Sequence, residues 1–351
     1  MDPAQRAEYR TILSNLALVC RFFCAACLPR VFRVMEYSGQ VHGESTPSYA
    51  KFCRELNAGD ETACYLAQHV KECTISHWMQ AVEKGQWVFG NFLKVYIKSI
   101  TSLVNLEALR LHRVPIDLKF LEALGALEKL KLLSVSSCDF QPLTKDNKWV
   151  TGSLKVAHFE LWAHRNDALL APLSQIICSN FLRTLRTDNW GFSKAVMSQS
   201  VSFNIETLTI PIAISEVMHL RGFLNRNPNI TDLSIFGPIS ILPYQLSYPI
   251  LDLDPSSIPQ LSRLECSPCF LDGLVPGRPL KLIKINWTPD DILPSLEDVE
   301  KMLSAIRKST APLTVLRVPA DVYVAAPFHR IFPQLEILIL DVPVYDAEVS
   351  P

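Results

Sequence analysis

The chain has 351 residues, of which 48% are hydrophobic and 20% charged, with 34 basic side chains against 35 acidic ones. This length allows about two domains, or one solenoid with an appendage, and the composition is that of an ordinary globular protein. A formal charge of −1 provides no broad field for a polyanion, so neither nucleic acid nor an anionic membrane surface is expected as a partner.

No run of about 18 residues is free of charge and apolar throughout, so no membrane span is expected. The apolar stretch from Ile12 to Cys27 follows Arg6 and Arg10, but Arg21 interrupts it and Pro29-Arg30 is a poor cleavage context, so it is not read as a signal peptide. Ten cysteines in a chain long enough for a large core are read as reduced, mostly buried thiols. That places the protein in the cytoplasm or nucleus.

In chain order, residues 8–28 are expected as one helix, with Leu13, Leu16, Cys20, Phe23 or Cys24, and Cys27 on a single face and Pro29 stopping or kinking it. Residues 1–37 form a small helical segment, and 38–48, rich in Gly, Ser and Pro, are the linker and first domain boundary. Two short helices follow at 49–57 and 60–70, with Asp60 as N-cap. The aromatic-rich stretch 76–100 (Trp78, Trp87, Phe89, Phe92, Tyr96) completes a helical cap over 49–100.

From 101 to 342 one apolar pattern returns, L-x-x-L-x-L with substitutions at the L positions. It appears as Leu106-Leu109-Leu111, Leu130-Leu133-Val135, Val156-Phe159-Leu161, Ile205-Leu208-Ile210 and Ile230-Leu233-Ile235. It continues as Leu261-Leu264-Cys266, Leu280-Ile283-Ile285, Leu313-Leu316-Val318 and Leu335-Leu338-Leu340, with Leu182-Leu185-Thr187 as a degraded copy and Val70-Cys73-Ile75 as an early one. The mean spacing of about 25 residues falls in the leucine-rich-repeat range. The expected fold is therefore α/β: a solenoid with a curved parallel sheet inside and helices outside, a shape suited to holding a partner. Helices are expected at 117–127, 167–181, 215–225 and 295–308, the last with Ser295 and Asp298 as a carboxylate variant of the capping box. The proline-rich stretch 237–259 is read as an inserted loop, and 343–351 as a frayed tail.

Catalytic and metal signatures are missing. Cys24-x-x-Cys27 and Cys266-x-x-Cys269 have zinc-ligand spacing. The first pair, however, falls on the apolar helix side, Cys266 is a core position, and Cys269, like Cys138, sits where leucine-rich repeats bond the turning backbone. His158 and His164 would be about 20 Å apart along an extended strand. No phosphate-loop, H-E-x-x-H or G-x-S-x-G pattern occurs. No enzyme activity, cofactor or metal is expected.

Side chains between and just after the L positions alternate onto the other strand face. That phase gives Arg110, His112, His158, Glu160, Trp162, Arg186, Asp188, Asp232, Phe236, Arg263, Glu265, Lys284, Asn286 and Arg317 as a concave, mixed-charge face for a protein target, with Trp162 and Phe236 as its anchors.

The N-terminal segment reads Leu16-Ala17-Leu18-Val19-Cys20-Arg21-Phe22-Phe23, then Leu28-Pro29-Arg30-Val31-Phe32-Arg33. It resembles the second half of an F-box, and with the repeats the whole chain resembles the F-box/leucine-rich-repeat proteins of the fungal type. The resemblance implies a substrate-recognition subunit of a Skp–cullin–F-box ubiquitin ligase. Leu16, Val19, Cys20, Phe23, Pro29 and Phe32 would grip the Skp adaptor, and the repeats would hold an unknown target. An L-P-x-E-type first helix is missing, and Asp2-Pro3-Ala4-Gln5 does not match it, so the gene model starts late or the module has lost that helix. The alternative is a leucine-rich scaffold with no ligase link.

Overall fold

The computed structural model describes residues 3–39, 49–78, 87–116, 120, 124–140, 154–163, 170–177, 180–237, 251–286, 296–324 and 328–342. The chain divides into two compact units, Met1–Phe181 and Leu182–Pro351; residues 40–48 of the expected linker lie outside the described residues.

The first unit carries helices α1 (Pro3–Ala17), α2 (Arg21–Val31), α3 (Ala50–Ala58), α4 (Glu61–Ala67), α5 (Trp87–Ile100) and α6 (Leu170–Ile177). Its strands are β1 (Val34–Ser38), β2 (Glu72–Ser76), β3 (Ala108–His112), β5 (Leu132–Ser136) and β7 (His158–Trp162), with two short strands, β4 (Pro115–Ile116) and β6 (Asp139–Phe140), forming a separate ladder. The second unit carries β8 (Thr184–Thr187), α7 (Trp190–Met197), β9 (Thr207–Pro211), α8 (Val217–Arg226), β10 (Asp232–Phe236), β11 (Arg263–Cys266) and α9 (Leu271–Leu274). It continues with β12 (Leu282–Ile285), α10 (Leu296–Ile306), β13 (Val315–Pro319), α11 (Ala320–Val324), α12 (Phe328–Ile331) and β14 (Ile337–Asp341).

Within each unit the main strands lie side by side in chain order, and every pair is parallel. Parallel neighbours need a long return, and most returns carry a helix. The register places the middle position of each apolar triplet in one row: Met35, Cys73, Leu109, Leu133 and Phe159 in the first unit. In the second unit the row is Leu185, Leu208, Leu233, Leu264, Ile283, Leu316 and Leu338. All but Leu338 are buried. Removing such a side chain costs about 2–5 kcal/mol, because both flanking strands lose their contact.

Two backbone features recur beneath these rows. At every described pair of neighbouring main strands, one carbonyl just before the first strand accepts two successive N–H groups from the second. Arg33, Lys71, Glu107 and Lys131 do this in the first unit, and Arg183, Glu206, Thr231, Ser262, Lys281 and Thr314 in the second. In the first unit, the residue just after a strand is left-handed at His77 (φ 62°), Arg113 (φ 53°), Ser137 (φ 51°) and Ala163 (φ 51°). His77, Arg113 and Ser137 donate their N–H to the last carbonyl of the next strand, each at 2.9 Å. A left-handed non-glycine residue costs on the order of 1 kcal/mol, and here that bond offsets it.

The structure departs from the sequence expectations in four places. Residues 8–28 do not form one helix: α1 ends at Ala17, Cys20 is extended (φ −161°, ψ 168°), and α2 folds back to pack on α1. A continuous helix would leave its whole apolar stripe in water; the pair buries Leu13 and Cys27. Pro29 lies inside α2 rather than ending it. Ala25, whose carbonyl loses its helical donor, is exposed, so water can replace the bond.

Val34–Ser38 is a strand that extends the first sheet beyond β2. Accordingly, the aromatics assigned to a terminal cap fill the interior beside β1 and β2. Tyr37 stacks on Tyr96 at 4.4 Å, and the Trp78 indole N–H donates to the Tyr37 carbonyl at 3.1 Å. The side chains of Trp87 and Phe89, residues 117–119 and 121–123, Ser295, and the tail from 343 lie outside the described residues, as does 238–250 of the expected loop.

Other local signals agree with the structure. Asp60 Oδ1 accepts from the Ala63 N–H at 2.9 Å as the α4 N-cap. The degraded copy is buried throughout, and its odd residue has a role: Thr187 Oγ1 accepts from the Asn189 N–H (3.0 Å), while Asn189 Oδ1 caps α7 through the Phe192 N–H (2.8 Å). In the second unit the Arg278 side chain is fully buried, donating to the Gly273 and Pro276 carbonyls from Nη1 and to the Asp254 carbonyl from Nη2. It ties the 251–258 segment to the turn before β12.

Two substitutions probe the backbone. Gly237 has φ 154°, and an added Cβ would stand 2.2 Å from the Trp190 ring, so Gly237→Ala should cost at least about 2 kcal/mol. Ala163→Gly, which relieves the left-handed strain, should leave stability unchanged or raise it by up to about 1 kcal/mol. Urea denaturation measures both.

Candidate protein-interaction surfaces

The exposed face of the strands is built from alternation. In β2, β5, β7, β11, β12 and β13 the residues between buried positions are half-buried or exposed. Every expected face residue follows that phase: Arg110, His158, Arg186 and Arg263 are exposed, while His112, Glu160, Trp162, Asp188, Asp232, Phe236, Glu265, Lys284, Asn286 and Arg317 are half-buried. His164 lies outside the described residues.

Sequence reasoning missed that most charges on this face are already spoken for. In the first unit Arg110 Nη1 donates to Glu72 Oε2 (3.1 Å), and Ser134 Oγ to Glu160 Oε2 (3.1 Å). In the second unit Arg263 pairs with Asp232 (3.5 Å) and Lys284 with Glu265. Arg317 makes a fork on Asp341, with Nε at 2.9 and 2.8 Å and Nη2 at 2.7 Å. These partners are 19 to 38 residues apart in sequence, one strand over in space, so only the register reveals them. Charges paired within the face present little net field to their surroundings. His112 meets His77 edge-to-face at 5.0 Å, and burial, with His77 and Arg113 nearby, lowers its pKa. Cys138 behaves as expected, buried with Sγ bonded to the Ser136 carbonyl at 3.5 Å and its thiol pushed up to about 11 by burial. Cys269 is exposed.

A second surface lies on α1 and α2. Of the side chains expected to grip an adaptor, Leu16, Val19, Cys20 and Phe23 are exposed. Pro29 and Phe32 are half-buried, and Phe32 packs on Phe52 with ring centroids 5.8 Å apart, so it serves the interior. Sequence reasoning did not place on this surface Ile12 of α1 (50% exposed), Leu18 of the turn between the helices (86%) or Phe22 of α2 (76%). Their helical spacing carried no signal because the break at Leu18–Cys20 resets the phase between them. Large apolar side chains this exposed on adjoining helices are unusual for a surface facing only water.

Among the described residues, no three His, Cys, Asp or Glu side chains stand close enough to hold a metal ion, and no helix is long and apolar enough to cross a membrane. Comparison with family models finds none that matches the chain, and no curated protein matches it either.

The Arg317–Asp341 fork gives a pH test. The Asp341 carboxyl is held below its ordinary value, first by the Arg317 hydrogen bonds. A depressed folded pKa adds stability above the unfolded value of about 3.9 and loses it as pH falls through the folded pKa. Both side chains are more than a third exposed, so screening limits the pair to under about 1 kcal/mol. Arg317→Met should show that loss at pH 7 and converge with the parent in denaturant midpoint below about pH 3.

Proposed function

We propose that the chain is a non-catalytic recognition subunit of a Skp–cullin–F-box type ubiquitin ligase, an F-box/leucine-rich-repeat protein of the fungal type. Helices α1 and α2 dock on the adaptor, and the exposed strand face holds a protein target. The observation that carries this reading is the apolar surface of the helix pair and its connecting turn: Leu16, Leu18, Val19, Phe22 and Phe23 all stand at 38% exposure or more. Water contact over such side chains is unfavourable by about 25 cal/mol per Å² of apolar area, and a partner's groove removes it.

Further support comes from the strands. Apolar triplets held in register across parallel neighbours are what stacked leucine-rich repeats require. No catalytic residue is needed, because holding a target beside a charged conjugating enzyme raises the transfer rate by proximity.

Co-purification with the Skp adaptor is the test. The double variant Val19→Asp/Phe22→Asp should reduce adaptor retention at least about tenfold while leaving the circular dichroism unchanged, since both side chains are exposed. Retention that survives this change, or no retention by the parent chain, favours a leucine-rich scaffold without a ligase link. On the target side, Trp162→Ala and Phe236→Ala should each remove proteins captured from a lysate. An unchanged captured set would exclude the strand face.

A further inference from the structure

At the starts of the strands in the first unit, a cleft of about 660 Å³ is lined by Arg30, Arg33, Lys71, Arg110 and Lys131 together with Glu72 and Glu107. The volume is within the range of ligand sites, roughly 300–1,000 Å³.

The charge is lopsided. Five guanidinium and ammonium groups face two carboxylates. Glu107 takes Lys71 at 2.6 Å and Lys131 at 3.2 Å, and those hydrogen bonds, Lys71 first, hold its carboxyl below the ordinary value. Glu72 takes Arg110 at 3.1 Å. Arg30 and Arg33 are exposed and, among the described residues, make no ion pair. His69 Nε2 is buried there without a hydrogen-bond partner.

The second unit supplies a comparison. Its own strand-start cleft is lined by Arg183, Asn204, Glu206, Asn229, Thr231 and Gln260, and its one cation and one carboxylate are bonded to each other. The geometry of stacked strands therefore does not by itself produce a basic cleft; the surplus belongs to the first unit.

We propose that this cleft binds a multiply charged phosphate group, with Arg30 and Arg33 as the primary contacts and Lys71, Arg110 and Lys131 as reserve charge released from their carboxylates when the ligand enters. Guanidinium groups suit the task because they donate to phosphate oxygens in pairs. The phosphate arrives either on a phosphorylated protein segment or as a free polyphosphate. Neither source depends on adaptor docking, so this site stands or falls apart from the ligase reading.

The test is calorimetry on the full chain, without adaptor, using tripolyphosphate and a bis-phosphoserine peptide beside its unphosphorylated twin. The parent chain should bind at least one phosphate probe with Kd below about 1 mM. Arg30→Gln/Arg33→Gln should weaken binding about tenfold or more. Glu107→Gln should tighten it severalfold, because it frees Lys71 and Lys131, and Arg307→Gln, on an exposed site of the second unit, should change nothing. Binding by the phosphopeptide but not its twin assigns a phosphorylated partner; binding by tripolyphosphate alone assigns the free ligand. No binding by either probe, or binding that the Arg30/Arg33 variant and Glu107→Gln leave unmoved, overturns the proposal.

Discussion

The structure depends on one constraint: a single strand with an apolar triplet cannot bury it alone. Each of Met35, Cys73, Leu109, Leu133 and Phe159 lies beside its counterpart in the next strand, and the same holds from Leu185 through Leu316 in the second unit. Apolar burial supplies the energy, but register supplies the precision, since a slip by one residue would send every triplet to the wet face. The double-acceptor carbonyls hold that register without using side chains, so the residues at those positions are free to vary: Arg, Lys, Glu, Thr and Ser all serve.

Register also governs the surface. Once strands are stacked in phase, a charge on one strand meets whatever its neighbour carries at the same height or one step away. Arg110 finds Glu72, Lys284 finds Glu265, and Arg317 finds Asp341. Within each unit the charges of the strand face are thereby largely paired, and half-buried rings stand beside them, Trp162 in the first unit and Phe236 in the second. Surplus charge survives where the pattern is interrupted. Arg30 and Arg33 sit at the junction of α2 and β1, and the first unit's strand-start cleft stays basic while its equivalent in the second unit is balanced.

The N-terminal helices face a different balance. Folding α2 back on α1 buries Leu13 and Cys27 but leaves Leu18, Val19 and Phe22 in water. More burial of these helices on themselves is not available, because a two-helix layer has one mutual face and its other sides need a further partner. Helix pairing thus explains both why the pair holds together and why it remains incomplete as an apolar surface.

Much of this was legible in the residues alone. The apolar spacing determined which side chains are buried, where most strands run and which positions alternate outward, because burial periodicity is a local property of the backbone. Asp60 announced its cap for the same reason. The sequence could not announce β1, since Met35 and Tyr37 do not look like repeat positions until Cys73 and Ile75 lie beside them. Nor could it announce the split at Leu18–Cys20, the left-handed residues His77, Arg113, Ser137 and Ala163, or which charges are paired and which remain for a ligand. Those were decided by neighbours outside the local stretch of sequence, and contact across strands exists only once the chain has returned to lay the next strand down.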